Sequence, residues 1–148
     1  MSSQTNQIPP ETRIAPLANT ELLLAAILRA FPQSLAVYAY GSRISGSADA
    51  NSDLDLALLV AGYAEPLQLW DLSGELADIA GCPVDLLDLR AASTVMQFQI
   101  LQSGRCLWAN QPQAGLFECF VLSEKTALDA ARAGLLNDIQ SRGSIYGG

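Results

Sequence analysis

Apolar residues follow two rhythms along this chain. Leu35–Tyr40, Asp53–Val60, Val84–Leu89 and Arg105–Trp108 are short apolar runs with the length and make-up of strands. Between them the rhythm changes. Thr20 to Phe31, Glu65 to Ala80, Ser93 to Gln102 and Pro112 to Ile139 carry apolar residues three and four apart, as helices do. Asn19 or Thr20 suits the first N-cap and Pro32 stops that helix; Ser93 suits another cap and Gly104 another stop. In the second helix Leu69, Leu72, Leu76 and Ile79 share a face, while Asp71, Glu75 and Asp78 share the other. That acidic stripe reads as a solvated helix face ahead of a docking surface. The last helix is expected to bury Leu116, Phe120, Leu128, Ala131 and Leu135, with a break near Ser123. The order α-β-loop-β-α-β-α-β-α predicts one α/β sheet with helices packed on it. Residues 1–18 read as a polar arm, 19–140 as a single domain and 141–148 as a Gly-rich tail.

Composition narrows the chemistry. The 148 residues fit one domain able to bury its own core, and 50% are hydrophobic. Fifteen acids against eight bases leave a net charge of −7, which suits a nucleic-acid track poorly. Cys82, Cys106 and Cys119 form no C-x-x-C pair and read as reduced packing residues in a cytoplasmic protein. The start has no signal-peptide pattern, and no apolar stretch approaches the ~20 residues of a membrane span. Histidine is absent. Ser-His-Asp triads and imidazole metal ligands are therefore excluded, and any metal must be held by oxygen, which favours a hard cation such as Mg²⁺.

One stretch then stands out: YGSRISGSADANSDLDLALLV, Tyr40 to Val60. Side chains alternate along a strand, so Asp53 and Asp55 point to one face while Leu54, Leu56, Leu58 and Val60 enter the core. Two carboxylates ~4 Å apart repel by roughly 4 kcal/mol at an effective dielectric near 20. A divalent cation, or one raised pKa, would offset that repulsion. Upstream, Gly41 follows a strand and permits close approach of a ligand. Ser42 opens a helical turn whose N–H groups and hydroxyl suit phosphate oxygens. Phosphates on one side and a carboxylate-held metal on the other make a nucleoside-triphosphate site. A third acid would complete a two-metal arrangement. VDLLDL (Val84–Leu89) offers Asp85 and Asp88 on opposite faces, and alternation alone does not choose between them.

Gly41-Ser42, a spacer of ten residues (Arg43–Ser52), Asp53-x-Asp55 and a later acid resemble the signature of the minimal nucleotidyltransferases in the DNA polymerase β superfamily. The resemblance implies a nucleotidyltransferase (polymerase β-like) α/β fold, a mixed β-sheet flanked by helices, with Asp53, Asp55 and Asp85 as catalytic and metal-holding acids. It selects Asp85 because the family's third acid is the first Asp of a VDLxDL strand. It also implies two Mg²⁺ ions, and Gly41 and Ser42 on the triphosphate. Arg43 stands beside them, either neutralising triphosphate charge or solvated. Val84 to Trp108 is similar to the MntA-type antitoxins of type VII toxin–antitoxin systems. That likeness implies transfer of AMP from ATP to a tyrosine of a HEPN-domain ribonuclease toxin, which silences the toxin.

Other residues receive plainer readings. Arg90 reads as a surface residue, Asp49 as a turn residue and Asp88 as structural or exposed. Trp70, Trp108, Phe98 and Phe117 read as core or interface. Competing functions are an aminoglycoside-type small-molecule nucleotidyltransferase, disfavoured by the little chain left to enclose an acceptor, and a non-catalytic toxin-binding antitoxin. The converging acids argue against the second.

Overall fold

The computed structural model describes residues 19–45 and 53–146, without the side chains of Arg43, Ser45 and residues 140–146. The expected arm to Ala18, Asp49 and the side chain of Arg43 therefore lie outside the described residues. The elements are α1 (Thr20–Ala30), β1 (Ser34–Tyr40), the single turn α2 (Ser42–Ser45), β2 (Leu54–Val60), α3 (Pro66–Ala80), β3 (Val84–Asp88), a 3₁₀ turn (Leu89–Ala91), α4 (Thr94–Ser103), β4 (Arg105–Ala109) and α5 (Gln113–Tyr146). No described helix is long and apolar enough to cross a membrane.

The four strands run in the order β3-β2-β1-β4. β1 is antiparallel to β2 and β4, while β2 and β3 are parallel and joined through α3. This is the expected mixed sheet flanked by helices. Alternation sorts the side chains into two cores. Leu56, Leu58, Val60 and Val37 pack with Leu23, Ile27 and Phe31 of α1 and with Leu72 and Leu76 of α3. On the opposite face Ala36, Tyr38, Ala57 and Leu59 pack with Ile100 of α4 and with Ala114, Phe117 and Val121 of α5. The Tyr38 hydroxyl donates to Glu118 Oε2 at 2.8 Å and so ties α5 to β1. Burial, followed by that bond to Glu118, raises the Tyr38 pKa well above the usual tyrosine value.

Local chemistry explains most boundaries. Glu65 caps α3 by accepting from Gln68 N at 2.8 Å, and Ser93 caps α4 by accepting from Met96 N at 3.1 Å. Asn19 occupies the N-cap of α1, yet its side chain makes no cap bond. Its Nδ2 instead donates to Ile79 O at 2.8 Å, joining the start of α1 to the end of α3. Gly104 ends α4 at an ordinary negative φ, so a left-handed turn is not its purpose. A Cβ there would lie 2.9 Å from Ala39 O, and the gap between α4 and β1 admits only glycine.

Three expectations are corrected. α5 runs unbroken past Ser123 and through Tyr146, so residues 141–146 are helical. The internal glycines Gly115, Gly134 and Gly143 each cost only about 1 kcal/mol, and no proline stops the helix. The buried side of α5 is Ala114, Phe117 and Val121, whereas Leu116, Phe120 and Leu135 are exposed. Leu116 and Phe120 lie on a neighbouring apolar stripe that β1 and α4 leave uncovered, whereas Leu135 continues the stripe of Phe117 and Val121 into a part of the helix that is exposed all round. Trp70, read as core or interface, is 77% exposed and belongs to no core, so only the core half of that reading is set aside. Phe117 is buried, and Phe98 and Trp108 are half-buried, as read from the sequence.

Candidate active site

Strand register brings the predicted residues together. Tyr40 pairs with Asp55 across β1 and β2, and Asp55 pairs with Asp85 across β2 and β3. The three side chains therefore form a row across three strands, on the α4 side of the sheet. Asp53 is exposed one residue before β2 begins, in phase with Asp55. Gly41 closes the row at the end of β1, and its carbonyl accepts from Ile44 N at 3.1 Å to form the α2 turn. Gly41 has φ +83°, and a Cβ there would overlap Asp55 Oδ2 and stand 3.2 Å from the carboxyl carbon. Backbone angle and carboxylate together require glycine. The Gly-Ser and the second Asp are thus one packed unit, although the intervening chain separates them in sequence.

The acids act on one another. Burial first, then the charges of Asp85 and Asp53, raise the Asp55 pKa above the usual carboxylate value. Burial, followed by Asp55 and Asp85, pushes Tyr40 up to about 12. The Tyr40 phenol therefore stays protonated at physiological pH and can only donate or accept hydrogen bonds as a neutral group. Among the described residues no hydrogen bond or ion pair engages Asp53, Asp55 or Asp85. Their side chains do not converge tightly enough to make a ready three-ligand metal cage there. The donor set nevertheless fits a hard divalent cation: oxygen ligands only, on neighbouring backbone positions, in a field that already disfavours a second negative charge.

The two acids of β3 part company. Asp88 lies on the opposite face and is buried. Its Oδ2 accepts from Ala64 N at 3.0 Å and its Oδ1 from Arg90 N at 3.2 Å, so both oxygens are occupied by the backbone. Asp85 is exposed beside Asp55. Arg90 is likewise committed elsewhere. Its Nε and Nη2 donate to Val60 O at 3.3 and 3.1 Å, and its guanidinium sits 5.3 Å from the centre of the Phe117 ring. Val60 is at the other end of β2 from Asp55, so Arg90 does not reach the acid row.

A cleft of about 270 Å³ adjoins the row, lined by Tyr40, Gly41, Met96, Gln99, Ile100 and Ser103. Sequence reasoning missed it. The spacing of Met96, Gln99, Ile100 and Ser103 marks a helix face, but not that this face overlooks Gly41. Tyr40 carried a signal of its own, because strand alternation from Tyr38 places it on the same side of the sheet.

Comparison with known proteins agrees with this geometry. Residues 23–113 match the family described as Polymerase beta, Nucleotidyltransferase. The Protein adenylyltransferase MntA of Shewanella oneidensis is 34% identical over 110 residues, which span 74% of this chain and 79% of that protein. A solved toxin–antitoxin complex with AMP-PNP holds a chain 32% identical to this one, at a TM-score of 0.73, over 82% of this chain and 98% of that one. A complex of tri-AMPylated Shewanella oneidensis HEPN toxin with MNT antitoxin matches at 30% identity and a TM-score of 0.67, over 82% of this chain and 96% of its counterpart.

Proposed function

The chain belongs to the polymerase β-type nucleotidyltransferases, and on that premise we propose that it is an antitoxin protein adenylyltransferase. It transfers AMP from ATP to a tyrosine of a cognate HEPN ribonuclease toxin, releases pyrophosphate and so neutralises the toxin. The observation that carries the reading is the row Asp55–Asp85, with Asp53 in phase, set against the Gly41–Ser42 turn. The similarity to MntA and to chains from toxin–antitoxin complexes supports the choice of acceptor.

On this reading the parts of the reaction divide among the residues of the row. Gly41 N–H and the Ser42 backbone and hydroxyl bind the β- and γ-phosphates at the β1 end of the row. The α-phosphorus then lies over Asp55, and the acceptor phenol approaches from the Asp85 side, over β3. This places attacking and leaving oxygens on opposite sides of phosphorus, as in-line displacement requires. The phenol oxygen forms a bond to the α-phosphorus, the bond from that phosphorus to the bridging oxygen of pyrophosphate breaks, and Asp85 accepts the phenol proton. Asp53 and Asp55 would hold one Mg²⁺, and Asp53, Asp55 and Asp85 a second. When bound, these ions supply charge neutralisation of the triphosphate and a lowered pKa for the acceptor hydroxyl. The three cysteines are free, which accords with action in the cytoplasm.

The test is intact-mass spectrometry of the purified chain mixed with its HEPN-domain toxin, ATP and Mg²⁺. AMP on a toxin tyrosine, lost with Asp53→Asn, is the expected result. A tight complex that never acquires AMP from ATP would leave a binding antitoxin and overturn the catalytic reading.

A further inference from the structure

The outer face of α3 has no role in the site and is poorly suited to solvent. Leu67 and Trp70 are 71% and 77% exposed, and Tyr63, in the turn leading into the helix, is 69% exposed. Large apolar side chains this open, close in sequence and on one helix arc, mark an interaction site. Tryptophan and tyrosine are also the residues that most often dominate interface energy. Gly74 lies on the same arc, one turn beyond Trp70. A Cβ at Gly74 would meet nothing within 4 Å, so no packing within the chain requires a glycine there. It costs about 1 kcal/mol of helix stability relative to alanine, and it leaves the backbone open to close approach.

Charge decides the occupant. The only charged residues of α3 are Asp71, Glu75 and Asp78, all exposed, and among the described residues only Glu75 has an ion-pair partner, Arg29 at 2.9 Å. An acidic rim repels nucleic acid and anionic membranes, whose surface helices carry Lys and Arg. A second copy of this chain is also disfavoured. A two-fold contact sets the same patch against itself and would oppose acid to acid. What remains is a protein with a basic surface around an apolar hollow. A ribonuclease must present such a surface to its polyanionic substrate.

We infer that the Leu67–Trp70 face of α3, with its acidic rim, docks the basic surface of the toxin. The inference rests on the functional reading above and deepens it. α3 packs on the face of the sheet opposite Asp55 and Asp85, so this contact holds toxin without occupying the acid row. Binding and chemistry are then separable, and docking covers toxin surface even before any AMP is added.

The experiment compares the full chain with two variants, Leu67→Ala/Trp70→Ala and Asp71→Lys/Asp78→Lys, against purified HEPN-domain toxin. All substituted side chains are exposed, and unchanged melting temperatures confirm that both variants fold. Each variant is expected to bind toxin roughly ten-fold more weakly or worse, to raise KM for toxin and to leave kcat at saturating toxin unchanged. The charge variant also loses much of the salt dependence of binding. Parental affinity in the apolar variant overturns the docking assignment alone. So does a fall in the chain's own mass by light scattering, which would make the face a contact between copies. If the unaltered chain neither binds nor modifies the toxin, the functional reading fails and takes this inference with it.

Discussion

Asp55 shows what a carboxylate set among other acids costs a fold. Its pKa is raised, so the folded state favours the protonated form. The stabilisation that this gives is complete below the ordinary carboxylate value near 3.9 and is lost as pH rises through the higher folded-state value. Asp55→Asn is neutral at every pH. Without divalent cation it should therefore melt higher than the parent at pH 7, and the difference should shrink towards pH 4 in paired thermal melts. The same variant should have no AMP transfer, as should Asp53→Asn, and Asp85→Asn should lose most of its turnover. Asp88→Asn should do the reverse. It turns an accepting oxygen into an amide donor facing a backbone N–H, which costs about 1–3 kcal/mol of stability, while transfer by the folded protein persists. Loss of transfer in folded Asp88→Asn with retention in Asp85→Asn would reverse the assignment. Sequence alternation showed that Asp85 and Asp88 point oppositely. Which one joins Asp55 was settled by the parallel pairing of β2 and β3, a contact between separate segments.

At the scale of elements, each helix and strand was legible because its signal is local. Glu65 and Ser93 cap the helices they precede, and Pro32 follows a helix end. The site turn was legible for the same reason, since a glycine, a serine and two acids at strand phase carry their own chemistry. Packing choices were not. Val121 and Leu135 lie two heptads apart on the same face of α5, yet Val121 is covered by the sheet side of the core while Leu135 stands where the helix is exposed all round. Val121→Ala should lower stability by roughly 1–3 kcal/mol through lost burial and a residual cavity, whereas Leu135→Ala should leave chemical denaturation midpoints unchanged. Gly41→Ala tests the packed unit of β1 and β2. The added methyl meets the Asp55 carboxylate at a left-handed φ, so both transfer activity and melting temperature should fall. An active, equally stable Gly41→Ala protein would show that the close approach is unnecessary.

The whole molecule divides its work between the two faces of one sheet. The α4 side carries the acids and the adjoining cleft, and the α1–α3 side carries a separate exposed apolar face. Such a molecule should gain stability most from ligands that neutralise the acid row. ATP and Mg²⁺ together should raise the melting temperature above either alone. At a hundred times the dissociation constant a native-state ligand adds about 2.7 kcal/mol, so the shift is readily measured, and it should vanish in Asp53→Asn. By itself the sequence determined the α/β class, the turn at Gly41-Ser42, the strand phase of Asp53 and Asp55, and the exclusion of histidine-based mechanisms, because composition, periodicity and turn chemistry act over a few residues. Only the tertiary structure decided that Tyr40 and α4 wall a cleft next to Gly41, that Arg90 is spent on Val60 and Phe117, and that Trp70 faces outward. Each of these depends on which distant segments become neighbours, and a one-dimensional pattern of apolar and polar residues does not encode the partner against which a face will pack.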